Sequence, residues 1–306
     1  MATSWTDEIL RSDGRPPVAA SRAQIDASQA PGAARIVEFV VGRCRYSQST
    51  LLEIGGDERV DVPTRAYLIE SGNEKFIWDT GYARHFYTQT TGLYRLYRWV
   101  TPARLGSGQD LRVQLERGGI SVRVLDAVIV SHFHADHVAG LADFTGLPVY
   151  ATRAAWDSID QVSGLRALRQ GHIPALVPAA AHGDRRFVDS LETVALPDEL
   201  RPFTAGWALS ADRNVIVVEL PGHARGHIGA FVRTTAGWEL LAADAAWDAR
   251  AFNGEKVRGP GALAKWLLDD PVAYRRSLER LQALHRNGIR IRLSHERGAV
   301  SRETER

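Results

Sequence analysis

The chain has 306 residues, of which 44% are hydrophobic, so it is long and apolar enough to bury a substantial core. Its formal charge is only +2, from 38 Lys and Arg against 36 Asp and Glu, and this balance disfavours nucleic acid and anionic membranes as partners. A single cysteine, no apolar run near the ~20 residues of a membrane span and no secretory signal together predict a cytoplasmic protein.

The first segments of the chain lead from an arm into strands. Residues 1–34 are rich in Ala, Ser and Pro without a periodic apolar pattern, and we expect an N-terminal arm without stable structure. Apolar runs at residues 36–41, 66–69 and 76–78 then predict strands. The third run leads directly into Asp79-Thr80-Gly81, where Asp79 is either a turn residue or a carboxylate that orients another group.

An insert rich in aromatic and Arg side chains occupies residues 82–99 and includes Tyr87 and Tyr94. These rings could line a substrate pocket, or an amphipathic helix could pack them on the core or on a second copy of the chain. Residues 107–110, Ser-Gly-Gln-Asp, then predict a capping box for a short helix that ends at Gly118.

The most informative stretch follows the apolar run at residues 125–130 and contains His132, His134, Asp136 and His137. Three imidazoles and one carboxylate packed together after a buried strand are typical of a metal site. Without a metal, such imidazoles would repel on protonation or leave buried nitrogens unpaired. Alternate residues of an extended chain point the same way, so we expect His132 and His134 to serve one ion and the following pair another.

Three further candidate donors follow predicted strands: His223 after residues 215–220, Asp244 after residues 240–243 and His295 after residues 289–293. The repeated order of strand and then donor is expected of a site where several strand ends converge on one cleft.

The remaining segments are assigned from their local sequence. Residues 164–178 are expected to form a second loop at the rim of the cleft, with His172 on the surface. Asp270 and Pro271 predict the start of a helix over residues 270–288 that packs on the sheet. Residues 297–306 form a charged tail.

The run from His132 to His137 matches the HxHxDH motif, and with His223, Asp244 and His295 following in order the chain resembles the metallo-β-lactamase superfamily. The turn at Asp79 is similar to the strand-Asp-Thr-Gly turn of that superfamily. The resemblance covers about residues 36–296, and it implies the α/β class, an αββα sandwich and a single domain over residues 35–296.

The resemblance also implies residue roles. One metal would be held by His132, His134 and His223, the other by Asp136, His137 and His295, with Asp244 bridging both and with Asp79 and His227 orienting ligands. A donor set of His and Asp suits zinc, while manganese, iron and cobalt remain open. We therefore expect two divalent ions, with zinc preferred.

The expected chemistry is hydrolysis, with Asp136 and Asp244 as catalytic residues. Two adjacent ions can share a water, present it as hydroxide to an acyl carbon and stabilise the oxyanion. The only Cys lies far upstream of the place where some β-lactamases have a thiolate ligand, and the residues after Asp248 leave no room for the additional domain of glutathione thioesterases.

Size and ligands most resemble the N-acyl-homoserine lactonase branch, although Trp247 stands where those enzymes place a Tyr; Trp247, Tyr87 and Tyr94 are candidates for the substrate pocket. The predicted function is a dinuclear hydrolase of a lactone or related ester, acting on a small molecule. A phosphodiesterase or thioesterase on the same core and a metal-free binding scaffold stay open, as does a homodimer. Near-neutral charge disfavours a nuclease, and the complete ligand set disfavours the scaffold.

Overall fold

The computed structural model describes residues 32–296, so the charged tail and all but the last residues of the expected arm lie outside the described residues. The described residues form thirteen strands: β1 Arg35–Ser47, β2 Arg59–Ser71, β3 Glu74–Trp78, β4 Ala103–Arg104, β5 Ala127–Ile129, β6 Val149–Ala151, β7 Arg185–Phe187, β8 Thr193–Ala195, β9 Ala205–Ala208, β10 Val215–Glu219, β11 Ile228–Thr234, β12 Gly237–Ala243 and β13 Arg290–Leu293.

The same residues contain the α-helices α1 Gln48–Leu51, α2 His85–Gln89, α3 Tyr97–Val100, α4 Leu111–Arg117, α5 Ala135–Val138, α6 Arg153–Asp160, α7 Gly164–Arg169, α8 Ala179–Gly183, α9 Ala262–Leu267 and α10 Pro271–Arg286. Short 3-10 helices lie at Gly92–Leu96, Val122–Val124, Leu141–Phe144, Pro174–Leu176, Val188–Ser190, Asp198–Leu200 and Ala249–Ala251. None of the helices between residues 32 and 296 has both the length and the apolar character to cross a bilayer.

Two mixed sheets carry the fold, in the strand orders β4-β1-β2-β3-β5-β6-β7 and β13-β12-β11-β10-β9-β8. In the first sheet β3, β5, β6 and β7 run parallel to one another, whereas β3 is antiparallel to β2. In the second sheet β12 and β13 are parallel. Parallel strands end at the same edge of a sheet, so the residues that follow β3 and β5, and those that follow β12 and β13, are brought side by side.

Alternating burial on the strands builds three apolar cores. The central core joins the inner faces of the sheets and contains Trp78 from the first sheet and Val217 from the second. A second core lies between the first sheet and side chains such as Leu115 and Trp156 of α4 and α6. The third lies between the second sheet and the apolar face of α10, which includes Leu281. Helices on the outer face of each of the two sheets give four layers, and these confirm the expected αββα sandwich.

Helix α10 begins where the sequence predicts. The Asp270 side chain accepts hydrogen bonds from the backbone N–H groups of Val272 and Ala273, at 2.8 and 3.0 Å, and Pro271 occupies the first turn. Gly288 follows the helix with a φ of +80°, a conformation that glycine adopts without strain.

Helix α4 has the expected position but not the expected capping box. Asp110 precedes the helix, yet its side chain makes no cap hydrogen bond. Its Oδ1 accepts a hydrogen bond from the backbone N–H of Arg84 at 2.9 Å instead. The carboxylate is thus used to fix the aromatic insert against the start of the helix.

Residues 164–178 are largely helical and do not form the loop that the sequence predicted, and the predicted surface position of His172 was wrong. Helix α7 and the 3-10 helix Pro174–Leu176 occupy much of the segment. Gly171, with a φ of +71°, ends α7, and the N–H of His172 bonds to the carbonyl of Ala167 at 2.8 Å. This helix ending turns His172 inward, where it is only 3% exposed.

Candidate metal centre

The structure brings together all seven donors that the sequence suggested, at strand ends of both sheets. His132 and His134 follow β5, Asp136 and His137 lie in α5, and His223, Asp244 and His295 follow β10, β12 and β13. They form two groups, His132-His134-His223 and Asp136-His137-Asp244-His295, and within each group the donor atoms lie within 4.8 Å of one another.

The first group has a geometry that hydrogen bonds cannot satisfy. Nε2 of His223 lies 3.1 Å from Nε2 of His132 and 3.0 Å from Nδ1 of His134. One ring nitrogen carries at most one proton, so it cannot donate to both neighbours. Three convergent nitrogen lone pairs fit a divalent cation, which accepts all of them.

The second group places two carboxylates against two imidazoles. Nε2 of His295 lies 3.0 Å from Oδ2 of Asp136 and 3.3 Å from Oδ2 of Asp244. Nε2 of His137 lies 3.3 Å from Oδ1 of Asp244, but neither of these last two buried atoms has a hydrogen-bond partner. Orphaned donor atoms that face each other also fit a cation.

Asp244 lies between the two groups. Its Oδ2 is 3.4 Å from Nε2 of His223 in the first group, while its two oxygens contact both imidazoles of the second group. This position fits the bridging role that the resemblance implies.

The protonation of the imidazoles differs between the groups. Burial and the neighbouring imidazoles hold the pKa of His132 and His223 well below the usual range, and burial lowers the pKa of His134 to about 4. Burial also opposes the charged form of His295, but the carboxylates Asp244 and Asp136 outweigh it and raise its pKa to about 10. The first group therefore presents neutral lone pairs at pH 7, as metal ligation requires.

Asp79 orients the histidine motif from the side that faces away from the donor groups. It is fully buried at the end of β3, where its Oδ1 accepts a hydrogen bond from the Ser131 N–H at 2.8 Å. Its Oδ2 accepts a second bond from Ser131 Oγ at 2.8 Å and lies 2.8 Å from Nδ1 of His137. Such a bond fixes the tautomer and the direction of the imidazole.

His227 supports the backbone of the site. Its Nδ1 donates to the Leu220 carbonyl at 2.8 Å, and its Nε2 accepts from the Asp244 N–H at 3.2 Å. The ring thereby joins the ends of β10 and β12, and it lies outside both donor groups.

A cavity of about 400 Å³ opens over the donors, and His134, Asp136, His223, Asp244 and His295 line it. Its other walls are mainly apolar and include Leu96 of the insert that the sequence placed at a possible substrate pocket and Leu168 of the predicted rim segment. They also include Leu51, Val100 and Trp266, which the sequence did not single out, because no local signal distinguishes them from other apolar residues of short helices.

The three pocket candidates from the sequence have different positions. Trp247 lines the cavity, and its indole N–H donates to Oδ2 of Asp244 at 2.8 Å. The cavity lining does not include Tyr87 or Tyr94. The Tyr87 hydroxyl donates to the Ala103 carbonyl at 3.1 Å, and the Tyr94 hydroxyl accepts from the Gly164 N–H at 3.1 Å, so both phenols hold neighbouring elements together.

Comparison with known proteins gives both a family and a fold. A family model described as the metallo-beta-lactamase superfamily matches residues 59–271. A protein described as a probable metallo-hydrolase from Mycobacterium bovis is 25% identical over 230 residues, which are 73% of this chain and 65% of the relative. The chain thus spans just under two thirds of the length of that relative.

Solved structures share the architecture at low identity. An N-acyl homoserine lactone hydrolase with the product N-hexanoyl-L-homoserine at its catalytic metal centre has a TM-score of 0.65 and 19% identity, over 87% of this chain and 94% of that chain. A dizinc quorum-quenching lactonase has a TM-score of 0.61 and 14% identity, over 89% of this chain and 90% of that chain. At such identities the likeness establishes the fold alone.

Proposed function

The chain belongs to the metallo-beta-lactamase superfamily, and from that premise we propose that it is a dinuclear metal-dependent hydrolase that opens a lactone or a related carboxylic ester. The observation that carries the proposal is the pair of buried donor groups that share Asp244 at the floor of an apolar cavity. A polar centre of this kind beneath apolar walls suits a substrate that joins a reactive carbonyl to an apolar group.

We assign one ion to His132, His134 and His223, and the other to Asp136, His137 and His295, with Asp244 shared. Zinc is the preferred ion because all donors are imidazoles and carboxylates. When bound, a pair of such ions activates water as a nucleophile near neutral pH and polarises the substrate carbonyl.

The residues around the donors define what the protein itself contributes. Trp247 holds the Asp244 carboxylate through its N–H, so this indole is not free to bind the substrate carbonyl as a Tyr hydroxyl would. Asp136 lines the cavity, and in our proposal its carboxylate carries the proton of the attacking water to the departing oxygen. The apolar walls exclude bulk water from the reacting carbonyl.

The cavity favours an acyl group as the larger part of the substrate. Leu96, Val100, Leu168 and Trp266 line it, and Arg169 is the one Arg or Lys among its described wall residues. A phosphodiester would call for more cationic contacts, so this wall supports an ester substrate over the phosphodiesterase alternative. N-acyl-homoserine lactones are a candidate class because similar structures contain N-hexanoyl-L-homoserine.

The test is turnover by the zinc-loaded protein of a panel of lactones, carboxylic thioesters, phosphodiesters and a cephalosporin, each repeated after chelation. We expect chelator-sensitive opening of lactones, with a rate that depends on acyl chain length. Chelator-sensitive turnover of only another ester class would contradict the lactone assignment.

Variants test the metal centre in the same assay. We expect His134→Ala and Asp244→Asn each to lower turnover about 100-fold or more while circular dichroism shows a retained fold. The matched control is His182→Ala, because His182 pairs with Asp160 at 3.2 Å on a partly exposed site away from the donors. Wild-type turnover in both donor variants would overturn the two-metal mechanism.

A further inference from the structure

Each imidazole that faces the candidate metal centre has a second ring nitrogen that must also be held. For three of them the partner is plain: His132 Nδ1 lies 3.0 Å from Ser131 Oγ, His137 Nδ1 lies 2.8 Å from Asp79, and His295 Nδ1 donates to the Pro63 carbonyl at 2.9 Å. Outer contacts of this kind fix the direction and basicity of a ligand. The other two imidazoles, His134 and His223, complete the three-histidine group.

The outer side of His134 is held by the turn that follows α7. The His134 ring makes a hydrogen bond with the Gln170 backbone, and because its Nδ1 faces His223, the outer nitrogen Nε2 is the one that donates in this bond. A Cβ placed on Gly171 would lie 2.6 Å from Cδ2 and 2.8 Å from Nε2 of His134. The backbone of Gly171 therefore packs directly on the ring, at a distance that only glycine allows.

The outer side of His223 has no such direct contact. Its Nδ1 is buried and has no hydrogen-bond partner. The ring forms part of the wall of a second, polar cavity of about 100 Å³, and Gln170 and His172 form part of the same wall. Nδ1 of His172 and Oε1 of Gln170 are likewise buried without a partner.

These orphaned atoms are complementary. With Nε2 directed at the metal centre, the proton of neutral His223 lies on Nδ1, which is then a donor. His172 makes a hydrogen bond with the Ser158 backbone, and because its Nδ1 has no partner, Nε2 is the nitrogen that donates in this bond. His172 Nδ1 is thus an acceptor, as is Gln170 Oε1. At about 30 Å³ per molecule, the cavity has room for water to join them.

We propose that Gln170-Gly171-His172 is a positioning segment for the three-histidine group. It holds His134 by direct contact, and it holds His223 through ordered water in the polar cavity, with His172 Nδ1 as an acceptor. The inference rests on the proposed metal centre, but it concerns metal affinity and not turnover. A protein that binds zinc without hydrolysing any ester would still test it.

The first experiment measures zinc affinity by competition with a chelator in Gly171→Ala. The matched control is Gly119→Ala, since Gly119 has a similar φ of +77° and no atom within 4 Å of an added Cβ. Both variants place an alanine at a similar positive φ, so the difference between them reports the contact with His134. We expect Gly171→Ala to weaken binding to the three-histidine group about tenfold or more beyond the control; equal affinities in the two variants would overturn the contact with His134.

The second experiment compares His172→Phe, which keeps a ring but removes the acceptor, with His172→Asn, whose side-chain oxygen can replace Nδ1. We expect about tenfold weaker zinc binding in the Phe variant, an altered absorption spectrum with Co²⁺, and recovery of most of the affinity in the Asn variant. Wild-type affinity and spectrum in a folded His172→Phe protein, or equal losses in both variants, would contradict the water-mediated role.

A third measurement needs no variant. In the zinc-loaded wild-type protein labelled with ¹⁵N-histidine, the Nδ1 proton of His223 should be visible by NMR and slow to exchange with solvent, because it is buried and bonded. Rapid exchange of that proton would overturn the proposal even if every variant failed to fold.

Discussion

Asp79 and Ala243 adopt backbone angles that are unfavourable for residues other than glycine, with φ values of 56° and 45°. Such angles cost about 1 kcal/mol or more, and they persist where the surrounding structure requires them. Asp79 ends β3 and directs its carboxylate at His137. Ala243 lies at a register shift in β12 and immediately precedes Asp244. At both strand ends a strained backbone angle occurs beside the candidate metal centre, at a carboxylate that orients a donor in one case and directly before a donor carboxylate in the other.

The thiol of Cys44 is buried, and we expect it to be unreactive in the folded protein. The side chain is 1% exposed, and burial, together with the nearby Asp136 charge, raises its pKa to about 12. The thiol therefore stays protonated up to that pH, and only the thiolate reacts quickly with disulfide reagents. We expect almost no labelling of the folded protein at pH 8 and complete labelling in denaturant.

The measurement is absorbance with Ellman's reagent, with Cys44→Ala as the blank. Labelling of the native protein within seconds would show that the thiol is accessible, and would contradict its placement in the core.

The turn that carries His223 and the start of helix α10 form one structural element. A Cβ on Gly222 would lie 2.0 Å from the Tyr274 backbone nitrogen, so the two backbones meet closely. The N–H groups of Asp269 and Asp270 donate to the carbonyls of His223 and Gly222, at 3.2 and 3.0 Å. The position of a candidate ligand therefore depends on how α10 begins.

We expect the Asp270 cap of α10 to stabilise this element. Asp270→Ala removes two hydrogen bonds to the first turn, and we expect the free energy of unfolding in urea to fall by about 1 kcal/mol. Asp270→Asn keeps an acceptor oxygen and should lose much less. Equal losses in the two variants would show that the cap does not stabilise the helix.

Strands whose apolar run is followed by a His or Asp side chain could be predicted from the sequence. The strands before His132, His223, Asp244 and His295 are of this kind, and the donors follow as expected. The inward position of His172 was missed because it depends on a helix ending at Gly171, and the surrounding sequence was interpreted as a loop. Leu51, Val100 and Trp266 of the cavity wall were missed because they come from short helices distant in sequence, and only tertiary packing decides which faces of these helices are exposed.

A chain of ion pairs connects the two sheets beside the central core. Arg65 of β2 pairs with Glu38 of β1 at 2.7 Å, Glu38 with Arg292 of β13 at 3.4 Å, and Arg292 with Glu239 of β12 at 2.6 Å. The Glu239 side chain is 7% exposed, so its removal would leave a cation without its principal partner in a poorly solvated place.

We expect Glu239→Gln to lower the free energy of unfolding by about 3 kcal/mol, as measured by urea denaturation. The matched control is Glu192→Gln, which breaks an ion pair with Arg213 whose side chains are 61% and 60% exposed, and which should cost less than about 1 kcal/mol. A loss of the same size in both variants would contradict a special role for the pairs between the sheets.

The candidate donors come from both halves of the sandwich: His132, His134, Asp136 and His137 follow the first sheet, and His223, Asp244 and His295 follow the second. Each proposed ion is therefore a further cross-link between the two sheets, which also meet through side-chain packing, ion pairs and hydrogen bonds such as that from the Ile228 N–H to the Ser131 carbonyl at 3.1 Å. Ligation favours the state in which both layers are folded. Loading with metal would then raise the cooperativity of unfolding, and chelation would allow either sheet to open without the other.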